Sequence, residues 1–146
     1  TGKVCFEKKQ TANMPVGGAK LLCEYPIEKL TATRDATFLM LTLEIEGKQF
    51  HNKHFFTPYK DCELPEAVIQ TSVKAQGENF AVTICTSTPA FYVSLNADGI
   101  RGEFTDNCIT LVPSEPRTLV FSPKQNVTLG AFKKALTVKH LRTTYR

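Results

Sequence analysis

Residues 102–121 read GEFTDNCITLVPSEPRTLVF. Two apolar runs, Cys108 to Val112 and Thr118 to Phe121, flank Pro113-Ser114-Glu115-Pro116. Proline presets the backbone for turns and has no N–H to give to a ladder, and serine bonds back to nearby backbone. The runs therefore read as short strands on either side of a four-residue connection. Just upstream, Phe104 and Ile109 both read as inward-facing, yet five positions separate them. On a regular strand an odd step puts two side chains on opposite faces. The period must break between them, and the simplest break is a corner at Asp106-Asn107. Both side chains bond readily to backbone amides a residue or two on and tolerate left-handed backbone. The pair is expected to form a turn and to do no chemistry.

A period of two recurs outward from this stretch. Between Thr37 and Gly47, Leu39, Leu41, Leu43 and Ile45 alternate with Phe38, Met40, Thr42, Glu44 and Glu46. The first set reads as a core face and the second turns polar along its length. Phe80, Val82 and Ile84 alternate with Ala81, Thr83 and Cys85, and Ala90 to Leu95 is another short run. Leu136 to Thr144 alternates again and reads as a closing strand. Val4 to Glu7, Ala19 to Tyr25 and Ala67 to Lys74 read as further strands, and Gly130 to Ala135 as the one short helix. Turn signals at Val16-Gly17-Gly18, Gly47-Lys48, Gln76-Gly77-Glu78 and Asp98-Gly99 punctuate the series. Eight to ten short strands at this spacing predict an all-β, immunoglobulin-like antiparallel β-sandwich rather than βαβ units. The expectation is one domain over residues 1–146.

The composition permits that. A chain of 146 residues with 42% apolar residues buries roughly two-thirds of its unfolded surface, so no metal or disulfide is needed to hold it. No apolar run approaches the ~20 residues of a membrane-spanning helix, and no membrane partner is expected. Thr1-Gly2-Lys3 does not read as a native start, and the chain is expected to be part of something larger. The five cysteines, at 5, 23, 62, 85 and 108, contain no C-x-x-C, which argues against zinc. Most sit among apolar residues and are expected to be free, buried thiols. Residues 124–146 carry Lys124, Lys133, Lys134, Lys139, Arg142 and Arg146 and no acid, while the other 123 residues sum to −2. A basic end suits nucleic acid or a solvated or docked face. No aromatics are interleaved with these bases for stacking, so no nucleic-acid partner is expected.

Candidate chemistry is thin. Glu44 and Glu46, two apart on a strand, would share a face about 7 Å apart, inside the range that glycosidase carboxylates need. Glutamates two apart on the polar face of a sandwich strand are far more often simply solvated. His51 and His54 with Asp61 carry metal-ligand chemistry, but a step of three on a strand points the two rings to opposite faces. No G-x-S-x-G, H-E-x-x-H or Walker loop is present. Sugar-binding modules grip with exposed planar aromatics; Phe55, Phe56 and Tyr59, then Phe91 and Tyr92, are the candidates, with one of each adjacent pair turned inward. The chain has no Trp, so the Cys…Trp…Cys core of antibody domains is excluded. Asn126-Val127-Thr128 fits the N-glycosylation sequon. No cofactor is expected.

Two stretches in this order resemble the C-terminal immunoglobulin-like domain of glycoside hydrolase family 2 β-mannosidases. One is NKHFFTPYKDCELP, residues 52–65, with Phe55, Phe56, Pro58, Lys60, Asp61, Leu64 and Pro65 at pattern positions. The other is the opening stretch, with Gly102, Phe104, Thr105, Asp106, Asn107, Ile109, Leu111 and Pro113. The end, LTVKHLRTTYR, is similar to that domain's closing strand. The likeness runs over residues 36–146; Cys62 and Cys108 depart from it, standing where larger apolar residues belong. The resemblance implies a parent enzyme that removes terminal non-reducing β-D-mannose with retention, using two glutamates on a TIM barrel. Such a barrel needs about 250 residues with alternating helices, so the catalytic glutamates lie elsewhere and none is carried onto this chain. What it implies here is a non-catalytic domain that docks on the catalytic barrel, with the parent's other domains as partners and carbohydrate as the parent's substrate. The compartment stays open: periplasmic or secreted in a bacterium, lysosomal or secreted in a eukaryote. The rival reading is a stand-alone carbohydrate-binding or adhesion module.

Overall fold

A computed structural model describes residues 2–14 and 16–145; Thr1, Pro15 and Arg146 lie outside the described residues. The backbone falls into two compact units, one from Lys3 to Leu64 and one from Pro65 onward.

In the first unit the regular elements are a single helical turn, α1 (Ile27–Leu30), and a hairpin of β1 (Phe38–Ile45) and β2 (Lys48–Phe55). The strands pair antiparallel over their full length, from Phe38↔Phe55 to Ile45↔Lys48. Glu46 and Gly47 form the two-residue loop, and both have positive φ, 49° and 75°. That is the turn whose twist matches right-twisted strands. A 3-10 turn at Tyr59–Asp61 follows. Two expectations fail in this unit. Val4 to Glu7 and Ala19 to Tyr25 are not strands; they have no ladder partner, and local alternation does not create one. The expected core face of β1 is not buried either: Leu41, Leu43 and Ile45 are 49%, 54% and 51% exposed. Alternation says which residues share a face, not whether another layer covers it.

The second unit is the sandwich. Its strands are β3 (Ile69–Gln76), β4 (Asn79–Thr86), β5 (Ala90–Ala97), β6 (Gly102–Phe104), β7 (Ile109–Leu111), β8 (Arg117–Pro123) and β9 (Leu136–Lys139). One sheet has the order β3-β4-β8-β6 and the other β7-β5-β9, with every pair antiparallel. β4 shows the expected alternation, with Phe80, Val82, Ile84 and Thr86 buried. On its outer face the Thr83 and Thr118 hydroxyls bond across the ladder at 2.8 Å. Both sheets feed one core: Phe80, Val82, Ile84, Leu119 and Phe121 from the first, Val93, Leu95, Ile109 and Leu111 from the second. This is an immunoglobulin-like β-sandwich built of antiparallel sheets.

The helix α2 (Leu129–Ala135) closes one side of this core. Thr128 caps it, its hydroxyl accepting from Ala131 N at 3.2 Å, which satisfies one of the helix's orphan N–H groups. The helix buries Phe132 completely. Its ring stacks on Phe80 at 4.4 Å and on Phe121 at 4.9 Å, and Phe121 meets Phe104 at 4.8 Å. β9 is shorter than its alternating sequence implied. It ends at Lys139, and Leu141–Thr144 turns into a 3-10 helix. The Thr143 hydroxyl donates to the His140 carbonyl at 2.7 Å and accepts from His140 N at 3.2 Å, which ends the extended chain there. Ala67 to Lys74 is a strand shifted by two, as β3.

Candidate functional site

The segment that decided the fold is a sheet-to-sheet corner. β6 pairs with β8 in one sheet, and β7 pairs with β5 in the other, so residues 105–108 carry the chain across. Gly102 begins it. A Cβ there would stand 2.3 Å from Phe121 Cζ and 2.6 Å from the Ser122 carbonyl oxygen. Only glycine lets β6 lie that close to β8. The Thr105 hydroxyl accepts from Val120 N at 3.1 Å and holds the end of β6 down.

At the corner Asp106 Oδ1 accepts from Asn107 N at 2.8 Å. Asn107 then reaches to the central strand of the other sheet. Its Oδ1 accepts from Leu95 N at 2.8 Å and from Cys108 N at 2.9 Å, and its Nδ2 donates to Leu95 O at 2.8 Å. The amide thus copies a peptide group and serves as a ladder rung for β5 just where β7 is too short to do so. Cys108 follows with φ of 54°, a left-handed turn that completes the corner. Opposite, β5 carries a bulge: Ala90↔Leu111 and Val93↔Ile109 set three steps against two. Tyr92 takes φ of 51° within it. The extra residue lets Ala90 and Val93, an odd step apart, both point into the core.

The other motif, residues 52–65, is a compact turn around a thiol. Asp61 N donates to the Pro58 carbonyl at 2.9 Å and Cys62 N to Tyr59 O at 3.1 Å. Cys62 Sγ sits 3.1 Å from Thr57 Oγ1 and 3.4 Å from Pro58 O. Cys62 is the one buried residue between Lys3 and Leu64 among the described residues. A small polarisable thiol fits this spot, where a larger apolar side chain was expected. Phe55 meets Tyr59 edge-on at 5.0 Å, and His54 meets Phe56 at 5.3 Å. Lys60 is exposed beside them.

The sequence candidates for chemistry do not converge. Glu44 lies on β1 opposite Gln49, but Glu46 is in the hairpin loop, so the two do not share a strand face. His51 pairs with Thr42 and bonds its hydroxyl through Nδ1 at 3.1 Å; His54 pairs with Leu39 on the opposite face. Among the described residues no group of three His, Cys, Asp or Glu side chains is placed to hold a metal. All five cysteines are free, as expected, but only Cys62 is buried; Cys5, Cys23 and Cys108 are exposed. Apolar neighbours in sequence did not predict burial, because those neighbours are themselves exposed or face the other way. Of the aromatics, Phe91 is buried, Tyr92, Phe55 and Phe56 are half-buried, and Tyr59 is exposed. Asn126 is exposed just ahead of α2. The basic end is dispersed: Lys124 bonds Glu103, Arg142 lies 4.0 Å from Glu66, and Lys133 and Lys134 sit in the last turn of α2. Arg146 lies outside the described residues. The rung made by Asn107 and the tight contact at Gly102 were not read from the sequence beforehand. Their signals were an Asn after an Asp at a break in the period, and a lone glycine opening a strand.

Three comparisons bear on this geometry. The family model Ig_mannosidase, an Ig-fold domain, matches residues 64–144. Curated β-mannosidases from Bos taurus and Capra hircus are each 27% identical over 150 residues, covering 97% of this chain and 17% of the relative. One from Mus musculus is 26% identical over the same share. The crystal structure of a β-D-mannosidase from Dictyoglomus thermophilum has the same fold, with a TM-score of 0.65 at 24% identity over 76% of this chain and 14% of that one. The chain thus spans about one-sixth of the length of the curated relatives it matches.

Proposed function

The chain belongs to the mannosidase family of Ig-fold domains, and from that premise we propose that it is a non-catalytic β-sandwich part of a larger hydrolase that removes terminal non-reducing β-D-mannose. Its role is structural. It docks on the catalytic barrel, and its partners are the parent's remaining domains. The observation that carries this reading is a coincidence of boundaries. The matched segment, 64–144, is the unit that starts at Pro65 and, among the described residues, holds all but one of the buried apolar ones. Two motif residues serve that unit's backbone: Gly102 by close approach, Asn107 by its three bonds. The polar groups of the corner are therefore engaged in holding strands and are not free for acid–base work. Glu44 on β1 and Glu46 in the hairpin loop lack the shared strand face on which a catalytic pair was weighed.

The test is hydrolysis of nitrophenyl β-mannoside by the purified 146-residue chain and by the full-length product of its gene. The full-length protein is expected to release nitrophenol and the chain to release none. Turnover by the chain that survives repurification and is lost in Glu44→Gln would contradict the reading. Asn126 is the expected glycan acceptor if the parent passes through a eukaryotic secretory pathway. A secreted chain whose gel mobility does not change on enzymatic removal of N-glycans would contradict that assignment.

A further inference from the structure

The expected glycan acceptor sits in a segment that the fold holds tightly. Asn126-Val127-Thr128 lies in the connection between β8, which ends at Pro123, and α2, which starts at Leu129. Two residues before the acceptor, Lys124 N donates to the Arg101 carbonyl at 2.8 Å and ties the chain down just ahead of β6. Asn126 itself is exposed. Val127 is half-buried and packs against the sandwich core, as Leu129 does after it. Thr128 is bound twice. Its hydroxyl accepts from Ala131 N at 3.2 Å, and its carbonyl accepts from Phe132 N at 3.0 Å. One turn on, Phe132 is completely buried and stacks on Phe80 and Phe121. The far end of α2 is tied as well, its Ala135 carbonyl accepting from Asp98 N at 2.9 Å. The folded sandwich thus displays the acceptor amide but engages the two residues that follow it.

Glycan transfer needs all three residues. The Asn126 Nδ2 attacks the anomeric carbon of an oligosaccharide carried on a lipid pyrophosphate. A carbon–nitrogen bond forms and the sugar–oxygen bond breaks. The lipid pyrophosphate leaves with the electron pair, and one amide proton passes to a base of the transferase. The enzyme tells this asparagine from others by the hydroxyl two residues on. To take up the tripeptide it must lift Val127 off the core and Thr128 off its cap, which loosens α2. We propose that Asn126 is glycosylated only while α2 is undocked. Thr128 then serves first as the hydroxyl that the transferase reads, and afterwards as the helix cap that closes the site. Occupancy is set by a race between transfer and the docking of Phe132. The inference rests on the reading of Asn126 as a glycan acceptor in a eukaryotic secretory pathway. The finished glycan fits the fold, because Asn126 is exposed. Adding it after folding requires the local structure to open.

The test uses the full-length gene product made in two hosts. Made in bacteria it carries no glycan, and its folded form is mixed with detergent-solubilised microsomes that supply transferase and lipid-linked oligosaccharide. Made in a secretory cell line it meets the transferase before it folds. Occupancy of Asn126 is read by mass spectrometry of the peptide that contains it. The secreted protein should be occupied at least about tenfold more than the folded bacterial protein, since transfer to a folded chain tracks its open population. Phe132→Ala frees α2 and should raise transfer to the bacterial protein. Gly130→Ala works the other way without threatening the fold. A Cβ there meets nothing within 4 Å, and alanine favours helix, so occupancy of the secreted protein should fall. Equal occupancy of folded bacterial and secreted wild type would overturn the proposal and leave Asn126 an acceptor. So would transfer that Phe132→Ala does not raise, or a Gly130→Ala occupancy no lower than that of wild type. No occupancy in any sample would remove the acceptor reading and the proposal with it.

Discussion

Asn107 carries more backbone than any other side chain at the corner, because its amide supplies both a donor and an acceptor to Leu95. Asn107→Ala strands that N–H and C=O on a strand packed into the core. The expected loss is about 2–6 kcal/mol in urea unfolding, from two groups at roughly 1–3 kcal/mol each. Asp106→Ala removes one exposed acceptor and should cost about 1 kcal/mol or less. Equal losses for the two would show that the corner, not the rung, is what matters. Gly102→Ala drives a methyl against Phe121, itself 2% exposed and hemmed in by Phe132; overpacking of this kind costs about 1–3 kcal/mol. Glu103 behaves differently. Its hydrogen bond and charge contact with Lys124 hold its pKa below the ordinary carboxylate value. The pair's contribution is therefore present above the unfolded-state pKa and is lost as pH falls through the folded one. The melting-temperature gap between wild type and Glu103→Gln should be small at neutral pH. It should vanish in acid and shrink in high salt, as both side chains are exposed. A gap that persists below the carboxylate range would mean that Glu103 acts by packing. At this scale the sequence showed where the corner lies, from the odd step between Phe104 and Ile109. It could not show that Asn107 bonds to Leu95, because the two are twelve positions apart with a change of sheet between them.

Elements were legible where a second layer covers them. β4, β5 and β8 combine alternation with burial, so the period-two reading held for them. It failed at both ends of the chain for different reasons. Near the start, apolar runs have no ladder, since pairing is decided by distant segments. Near the end, Thr143 turns the chain into a 3-10 helix through bonds that hydropathy does not report. The short helix α2 was placed within a residue because its boundary is local: Thr128 caps it from three residues away. Its contribution comes from Phe132, wedged between Phe80 and Phe121. Phe132→Ala should destabilise the chain by about 3–5 kcal/mol, whereas Thr128→Ala should cost about 1 kcal/mol. Circular dichroism melts of the two variants separate the core contribution from the cap. A Phe132→Ala loss no greater than the cap's would mean that the ring stack is loose.

For the whole molecule, the sandwich after Pro65 accounts for its own core, while residues 3–64 do not. The motif-level resemblance reached across both units, and the family model separates them at residue 64. The central claim is that the corner and its motif residues hold a domain together and do not act in catalysis. The most direct test is the full-length gene product carrying Asn107→Ala. Melting temperature and the turnover number for nitrophenyl β-mannoside, per folded molecule, would be measured side by side. The account predicts a lower melting temperature with the turnover number unchanged at temperatures where the variant is folded. A turnover number that falls by tenfold or more, about 1.4 kcal/mol of barrier, with the melting temperature intact would place Asn107 in the active site and contradict the account.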